Sequence, residues 1–331
     1  MAIAGAQAQD KRAGLLHFRA RARGLTADAV ERARVETRSL VRGWLMRGTV
    51  HLVASEDYGW MRPLFAAATV RQSRRRLAQL GLDAGDQDRA IAIIRRALGT
   101  DGLLTRNALV ERLGRAGIAV PAETRVHLIR VVVSEGAACI GPDEGASGTL
   151  VATADWLGEA PAPDRDAALA DLARRYLGAF GPASDRDLAK WSGLGLRDCR
   201  RGLDRIAGEL AEVGDGGRLL ALRRARPRAP PSPLVRLLPA FDTYLMGYSE
   251  RVHAVDADGE RRVLPGGGIL RPTICLDGRL VGLWSSKRSG RRLEISIEPF
   301  APLTDPVLAA IEREAADVGR FEGAPAALTA S

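Results

Sequence analysis

The sequence predicts an α+β fold, mainly α, made of tandem winged-helix domains followed by a C-terminal antiparallel β segment. Three observations carry this reading. Apolar residues recur at helical spacing through long stretches before residue 222. Runs of helices end in pairs of short strand-like segments, a plan that appears twice in full and once in reduced form. Beyond residue 233 the pattern changes to apolar or alternating runs separated by glycine-bearing turns.

Residues 1–82 read as an N-terminal winged-helix-like region, shortened at its start, that carries a Gln-x-Gln motif and a β-hairpin. Thr26 sits at the N-cap of TADAVERARVE. SLVRGWLM and TVHLV flank Arg47-Gly48 as the hairpin. Ser55 stands as the cap of a long helix that ends in Arg71, Arg74, Arg75 and Arg76. Residues 83–160 form a second winged helix. DQDRAIAIIRRALG is its first helix, Thr105 caps the next, Pro121 opens the third, and strands follow at 137–141 and 148–153. Residues 161–224 form a third copy. Its first helix has apolar residues at 168, 169, 172, 173, 176, 177 and 180. Ser184 caps a short helix, and LRDCRRGLDRIAGEL follows with apolar and arginine-rich faces. A hairpin turning at Gly214–Gly217 closes the unit. ARPRAPPSP at 225–233 reads as a stiff linker. Residues 234–322 form the β-rich domain, with DGRL and RSGR as hairpin turns and 305–319 as a closing helix. The tail 323–331 reads as frayed.

Composition narrows the function classes. The formal net charge is +9 over 331 residues. Three of the 49 basic residues are lysines (Lys11, Lys190, Lys287) and the rest are arginines. The arginine fork donates in pairs to phosphates and base edges, so nucleic acid is the first partner to test. Usage rich in Ala, Gly and Arg offers a blander explanation of the same charge. The cysteines (Cys139, Cys199, Cys275) and the four histidines are scattered, without CxxC or HExxH spacing. That spacing argues against a disulfide framework and a zinc site, and no metal or cofactor is expected. Without a long apolar run or a leader-like h-region, the chain reads as cytoplasmic with no membrane partner; its basic charge and winged helices, with no long heptad helix to dimerise them, read as a nucleoid-associated monomer on double-stranded DNA.

The short stretch AQAQD, with WLMRGTVHLV, LPAFDTYLMGY and GGGILRPTICLDGRLVGLW in that order, resembles the AlkZ/YcaQ-type winged-helix DNA glycosylases over roughly residues 5–320. The resemblance implies a monofunctional DNA-repair glycosylase that hydrolyses the N-glycosidic bond of N-alkylated (N7 or N3) purines, bulky or crosslinked adducts included. It implies that the family's Gln-apolar-Gln motif falls on Gln7 and Gln9, with Ala8 between. The family carries a helix or two ahead of this motif, which is why the first region reads as shortened.

The chemistry is consistent with two amides. Alkylation at N7 of guanine or N3 of adenine already makes the base a cationic leaving group, so no strong general acid is needed. What remains is to hold a water and to stabilise an oxocarbenium-like sugar. An amide both donates and accepts, which suits the first task. On an extended segment Gln7 and Gln9 would project to the same side, and Asp10, a possible base, to the other. Lys11 is the one lysine in the first hundred residues, so simple hydrolysis is favoured over a Schiff-base lyase step.

Candidate DNA contacts are Arg47 at the hairpin turn, His51 on its second strand, Arg71, Arg74 and Arg75 on the long helix, and Arg197, Arg200, Arg201 and Arg205 along one helix face. The alternative reading is a non-catalytic winged-helix DNA-binding protein or transcription regulator. It would bind duplex sequence-specifically and release no base. Asp242 interrupts an apolar run, which marks either a polar site or a buried hydrogen bond. The five tryptophans read as core residues.

Overall fold

The computed structural model describes residues 4–145, 147–159, 164–214, 219–225 and 232–329. About 51% of the described residues are helix and 22% strand, so the fold is α+β with helix dominant. The described residues form two compact units, neither contiguous in sequence. One contains Arg32–Arg175 and Ser192–Ala207 with the residues before Ala6; the other contains Ala6–Glu31, Tyr176–Trp191 and the residues from Gly208 onward.

The first unit is built on one antiparallel sheet. Its strands run in the order Val50–Ala54, Leu40–Trp44, Ala138–Glu144, Ser147–Ala152, Leu103–Leu104. The expected hairpin around Arg47 is present, pairing Val41 with Val53 and Trp44 with Val50. Its neighbour is the wing at 138–152, through Arg42 and Ile140. Strands of residues 1–82 and 83–160 therefore share one sheet. The helices arise as their periodicity dictates. In Ala84–Asp101, Ala90, Ile91, Ile94, Ala97 and Leu98 are buried at helical spacing, and Asp83 caps by accepting from Asp86 N at 2.8 Å. Thr105 caps Arg106–Arg115 by accepting from Ala108 N. Helix Ala122–Ser134 starts after Pro121 and buries Val131, Val132 and Val133 completely.

Ser55 behaves differently from its expected capping role. It is the first residue of helix Ser55–Gln79, and its hydroxyl donates to the Arg38 carbonyl instead. The helix N-cap is Ala54, with no side-chain cap.

The second unit contains a five-stranded sheet in the order Ala326–Thr329, Arg292–Pro299, Arg279–Ser289, Thr273–Leu276, Val235–Leu238. Both predicted tight turns form. Asp277 (φ 49°) and Gly278 (φ 87°) link Leu276 to Arg279, the double positive-φ geometry of a type I′ hairpin. Helix Asp305–Phe321 packs in the same unit and buries Val307, Ala310, Ile311, Ala315 and Val318. The expectation of a frayed tail is corrected: Ala326–Thr329 is a parallel strand beside Leu293–Ser296. It forms an edge of the sheet, paired along one side, and Gly319 lets the helix approach Ala324 and Ala326 closely. The linker at 225–233 and the turn at Gly214–Gly217 fall largely outside the described residues.

LPAFDTYLMGYS does structural work in the second unit that a strand reading did not anticipate. It runs from strand Val235–Leu238 into the short helix Thr243–Met246. Tyr176 Oη donates to the Gly247 carbonyl at 2.6 Å, and Tyr248 Oη to the Phe180 carbonyl at 2.8 Å. Ser249 donates through both N (2.8 Å) and Oγ (2.6 Å) to Asp187, whose other oxygen accepts from Ser184. Tyr176, Phe180 and Trp191 pack at ring-centroid distances of 5.2–5.7 Å inside this frame. Trp191 is 2% exposed, so Trp191→Ala is expected to lower stability by about 3–5 kcal/mol, read as a shifted midpoint in urea unfolding.

Candidate active site and nucleic-acid contacts

The Gln-x-Gln segment lies in the second unit. Strand Ala6–Gln7 ends at Gln7, and Asp10 then caps helix Lys11–Arg19 by accepting from Ala13 N at 2.8 Å. Gln7 is buried, Ala8 is buried, and Gln9 and Asp10 are exposed. Extended alternation therefore stops before Gln9, and the two amides differ in environment. The chain breaks its extended course because a free helix N-terminus needs an acceptor, and Asp10 supplies it. Asp10 is thus engaged as a cap.

Two further features hold this segment. Gly14, one turn into the helix, lies directly against Ala8. A Cβ at Gly14 would sit 2.6 Å from Ala8 Cβ and 2.9 Å from Ala8 Cα. The small residue between the glutamines and the glycine in the helix are therefore a matched pair. At the other end the helix is tied down by charge. Arg19, 4% exposed, donates to the Leu237 carbonyl (2.8 Å) and to Glu314 (2.9 Å), with Asp317 at 3.3 Å. Arg21 makes a two-pronged contact with Asp242, Nη1 to Oδ2 at 2.9 Å and Nη2 to Oδ1 at 2.6 Å. Tyr244 N donates to the same carboxylate at 2.8 Å.

Asp242 is fully buried, and burial alone would raise its pKa. The Arg21 guanidinium and the Tyr244 amide outweigh this and hold the carboxyl below its usual value. His17 is also fully buried, with Nδ1 3.7 Å from Asp242 Oδ2. Burial lowers its pKa from 6.5 to about 4, despite the attraction of Asp242. Asp242 is therefore the charged partner of Arg21, and His17 is a neutral neighbour at pH 7. Asp242 and His17 were not assigned roles by sequence reasoning. Asp242 had a signal, the acid inside an apolar run, but its partner lies 221 residues away.

The first unit holds the other candidates. Arg47 adopts φ 54° in the 3₁₀ turn Met46–Gly48 and is half-buried, with its pKa lowered to about 10 by burial. Gly193 packs on its backbone, since a Cβ there would lie 3.0 Å from Arg47 Cα. Arg47 is thus not a freely extended wing tip. His51 is 1% exposed, and its Nδ1 lies 3.0 Å from the Thr49 carbonyl, an arrangement that assigns the proton to Nδ1. A buried ring cannot reach DNA without rearrangement. Arg71 and Arg75 are exposed, whereas Arg74 pairs with Asp88 (2.8 Å) and lies near Glu135 (3.8 Å). Helix Leu196–Arg205 presents its arginines outward as the pattern implied. Arg197 and Arg200 are exposed, while Arg201 and Arg205 both grip Asp166 at 2.7 Å.

Sequence reasoning also passed over a basic hairpin tip in the second unit. Lys287, Arg288, Arg291 and Arg292 are exposed around the two-residue turn Gly290-Arg291. The signal was the run KRSGRR, read only as a turn. Trp60 and Trp156 are half-buried, against the core assignment. Trp60 Nε1 donates to Asp57, and Arg38 stacks on Trp156 at 4.0 Å. Among the described residues no group of three His, Cys, Asp or Glu is placed to hold a metal, and no helix is long and apolar enough to cross a membrane.

A Gln-x-Gln segment held against the start of a tied-down helix, in an α+β fold with exposed arginines, fits a nucleic-acid-processing protein. Residues 2–321 match the family described as DNA glycosylase AlkZ-like. The chain is similar to the interstrand DNA cross-link repair glycosylase of Streptomyces sahachiroi, with 29% identity over 351 residues, 97% of this chain and 89% of that one. The solved structure of the Streptomyces sahachiroi DNA glycosylase AlkZ superposes with a TM-score of 0.78 at 26% identity, covering 98% of this chain and 91% of that one. The chain belongs to the AlkZ-like DNA glycosylase family and is a DNA-repair glycosylase, a hydrolase of N-glycosyl bonds.

Two outcomes follow from this geometry. His17 stays unprotonated in the folded state until about pH 4, while the unfolded chain protonates it near 6.5. Stability is therefore complete above pH 6.5 and falls as pH drops from 6.5 toward 4, by about 3 kcal/mol. Thermal melting across this range should show the decline, and His17→Leu should flatten it. Gly14→Ala pushes a methyl into Ala8, so the rate of base release is expected to fall about tenfold or more. Affinity for undamaged duplex should remain within about twofold of wild type, since Gly14 faces Ala8 rather than solvent.

Proposed function

We propose that this glycosylase removes N7- or N3-alkylated purines from double-stranded DNA, bulky or crosslinked adducts included. Gln7 and Gln9 would position the hydrolytic water. The observation that carries this reading is the Gln7-Ala8-Gln9 segment, packed through Ala8 on Gly14 and followed at once by a helix capped by Asp10. A cationic alkylated base leaves without strong acid assistance, so positioning and charge stabilisation are the tasks left to the protein. An amide suits the first because it can accept from the water while donating elsewhere. The two glutamines take unequal parts: buried Gln7 is held by its surroundings and orients, and exposed Gln9 meets the water. Asp10, engaged at the helix cap, supports Gln9 rather than acting as base.

The Streptomyces relative is a crosslink-repair glycosylase by name, and the likeness over nearly the whole chain supports extending that substrate class here. The protein is read as a monomer on duplex DNA at the nucleoid, with the exposed arginines Arg71, Arg75, Arg197 and Arg200 touching phosphate. The hairpin tip at Lys287–Arg292 is a further contact of the same kind.

The test is base release from duplex carrying N7-methylguanine, scored as abasic sites under single-turnover conditions. Wild type is expected to release base. Gln9→Ala should lose at least about a hundredfold in rate, and Gln7→Ala/Gln9→Ala should retain duplex binding while releasing nothing measurable. Equal release by the double variant and wild type would remove the glutamines from the reaction.

A further inference from the structure

Helices Ser55–Gln79 and Ala122–Ser134 pack against each other in the first unit. Arg62 Nη1 donates to the Ser134 carbonyl, and Arg130 Nη2 donates to Gln72 Oε1 at 2.9 Å. These two contacts show that the helices run antiparallel, late residues of one meeting early residues of the other. One turn beyond Gln72 on the first helix is Arg76. About one turn before Arg130 on the second is His127. The register therefore sets Arg76, His127 and Arg130 along one seam, and the fields of both arginines reach the His127 ring.

Several of the surrounding arginines have structural partners. Arg74 pairs with Asp88, Arg95 with Glu135, and Arg62 with a carbonyl. The three seam residues differ. Among the described residues no carboxylate lies within ion-pair distance of Arg76, Arg130 or His127. Their contacts are the amide oxygens of Gln79 and Gln72. His127 Nδ1 and Arg130 Nε are buried with no hydrogen-bond partner. Glu123, a turn earlier on the His127 helix, is exposed. Gly48, at φ 65° in the hairpin turn, leaves the space that the Arg130 guanidinium fills, since a Cβ there would collide with Arg130 Nη2. Two arginines gathered on one seam without a counter-charge repel one another and disfavour protonation of the His127 ring beside them, a cost that a bound anion removes. The seam stands at the protein surface, with Arg76 exposed and Arg130 and His127 half-exposed.

We propose that Arg76, Arg130 and His127 form a phosphodiester-binding site for the DNA backbone. The proposal rests on the reading that this chain binds duplex DNA. A phosphate oxygen accepts from the two guanidinium groups, and its charge favours the protonated His127 ring, which the free protein disfavours through burial and the two arginines. DNA binding at this site is consequently linked to uptake of a proton, and affinity rises as pH falls through the histidine range.

The experiment is fluorescence anisotropy with a short undamaged duplex, as a function of salt and of pH. Arg76→Gln/Arg130→Gln is expected to lower the slope of log K against log[salt] by roughly two and to weaken binding about tenfold at low salt. Arg261→Gln, an exposed control paired with Asp258 in the other unit, should change neither. Between pH 7.5 and 5.5 wild-type affinity should rise about threefold or more, and His127→Asn should remove that rise while melting at the wild-type temperature. Inorganic phosphate at matched ionic strength separates the sources: a backbone site is displaced no more than by chloride, whereas specific displacement lost in the double variant would reassign the site to free phosphate and overturn the proposal. A double variant with wild-type affinity and salt slope would overturn it as well. Wild-type protein that binds no duplex would remove the underlying reading, an outcome distinct from a variant that binds unchanged.

Discussion

A carboxylate with no exposure to water organises the second unit. Asp242 sits where burial opposes its charge, and it stays ionised because Arg21 meets it with two parallel hydrogen bonds and Tyr244 N adds a third. A bidentate guanidinium contact is directional as well as strong, so it sets the angle of the chain segment that carries Arg21. That segment continues directly from helix Lys11–Arg19. Removing one partner of such a pair leaves a bare buried charge and costs about 3–5 kcal/mol, far more than a surface ion pair contributes. The arrangement is a constraint first and a source of net stability second.

The constraint matters because of what the helix carries at its other end. Asp10 caps it, Gln9 precedes the cap, and Ala8 rests on Gly14. Arg19 adds a second tie to Leu237, Glu314 and Asp317. A catalytic amide on an untethered N-terminal stretch would sample many orientations, and hydrolysis that depends on positioning a water tolerates little of that. The motif is short, and the helix that follows it adds a hold on its orientation, through Ala8 against Gly14 and the Asp10 cap. The LPAFDTYLMGYS segment thereby acquires a physical role. It places Asp242, and through Tyr248 and Ser249 it fixes the region around Phe180 and Asp187.

The basic residues divide along the same lines. Arg19, Arg21, Arg201, Arg205 and Arg74 are committed to carboxylates within their own units. Others, including Arg71, Arg75, Arg197 and Arg291, are exposed. A net charge of +9 does not distinguish these groups, since a structural arginine and a phosphate ligand add the same charge. Partners distinguish them. His51 shows the converse: its place on the hairpin was read correctly, yet the strand carries the ring inward, to 1% exposure.

Local signals in the sequence determined most of the elements. Helical periodicity placed the helices at 84–101, 106–115 and 165–180, Thr105 marked the cap of the second of these and Ser184 that of the helix at 185–192, and Asp277-Gly278 specified a two-residue turn. Each depends on residues within a turn or two, which is the range over which spacing carries information. The Gln-x-Gln motif and the order of the family segments were legible for the same reason. Tertiary structure alone decided the rest. The strand at 326–329 exists because 293–296 offers it an edge, and no local pattern announces that. Asp242 meets Arg21 across 221 residues, and Gly14 matters because Ala8 folds back onto it. Such pairings are set by the packing of distant segments, where burial and the need to satisfy each buried charge choose one arrangement among many that the sequence pattern alone would allow.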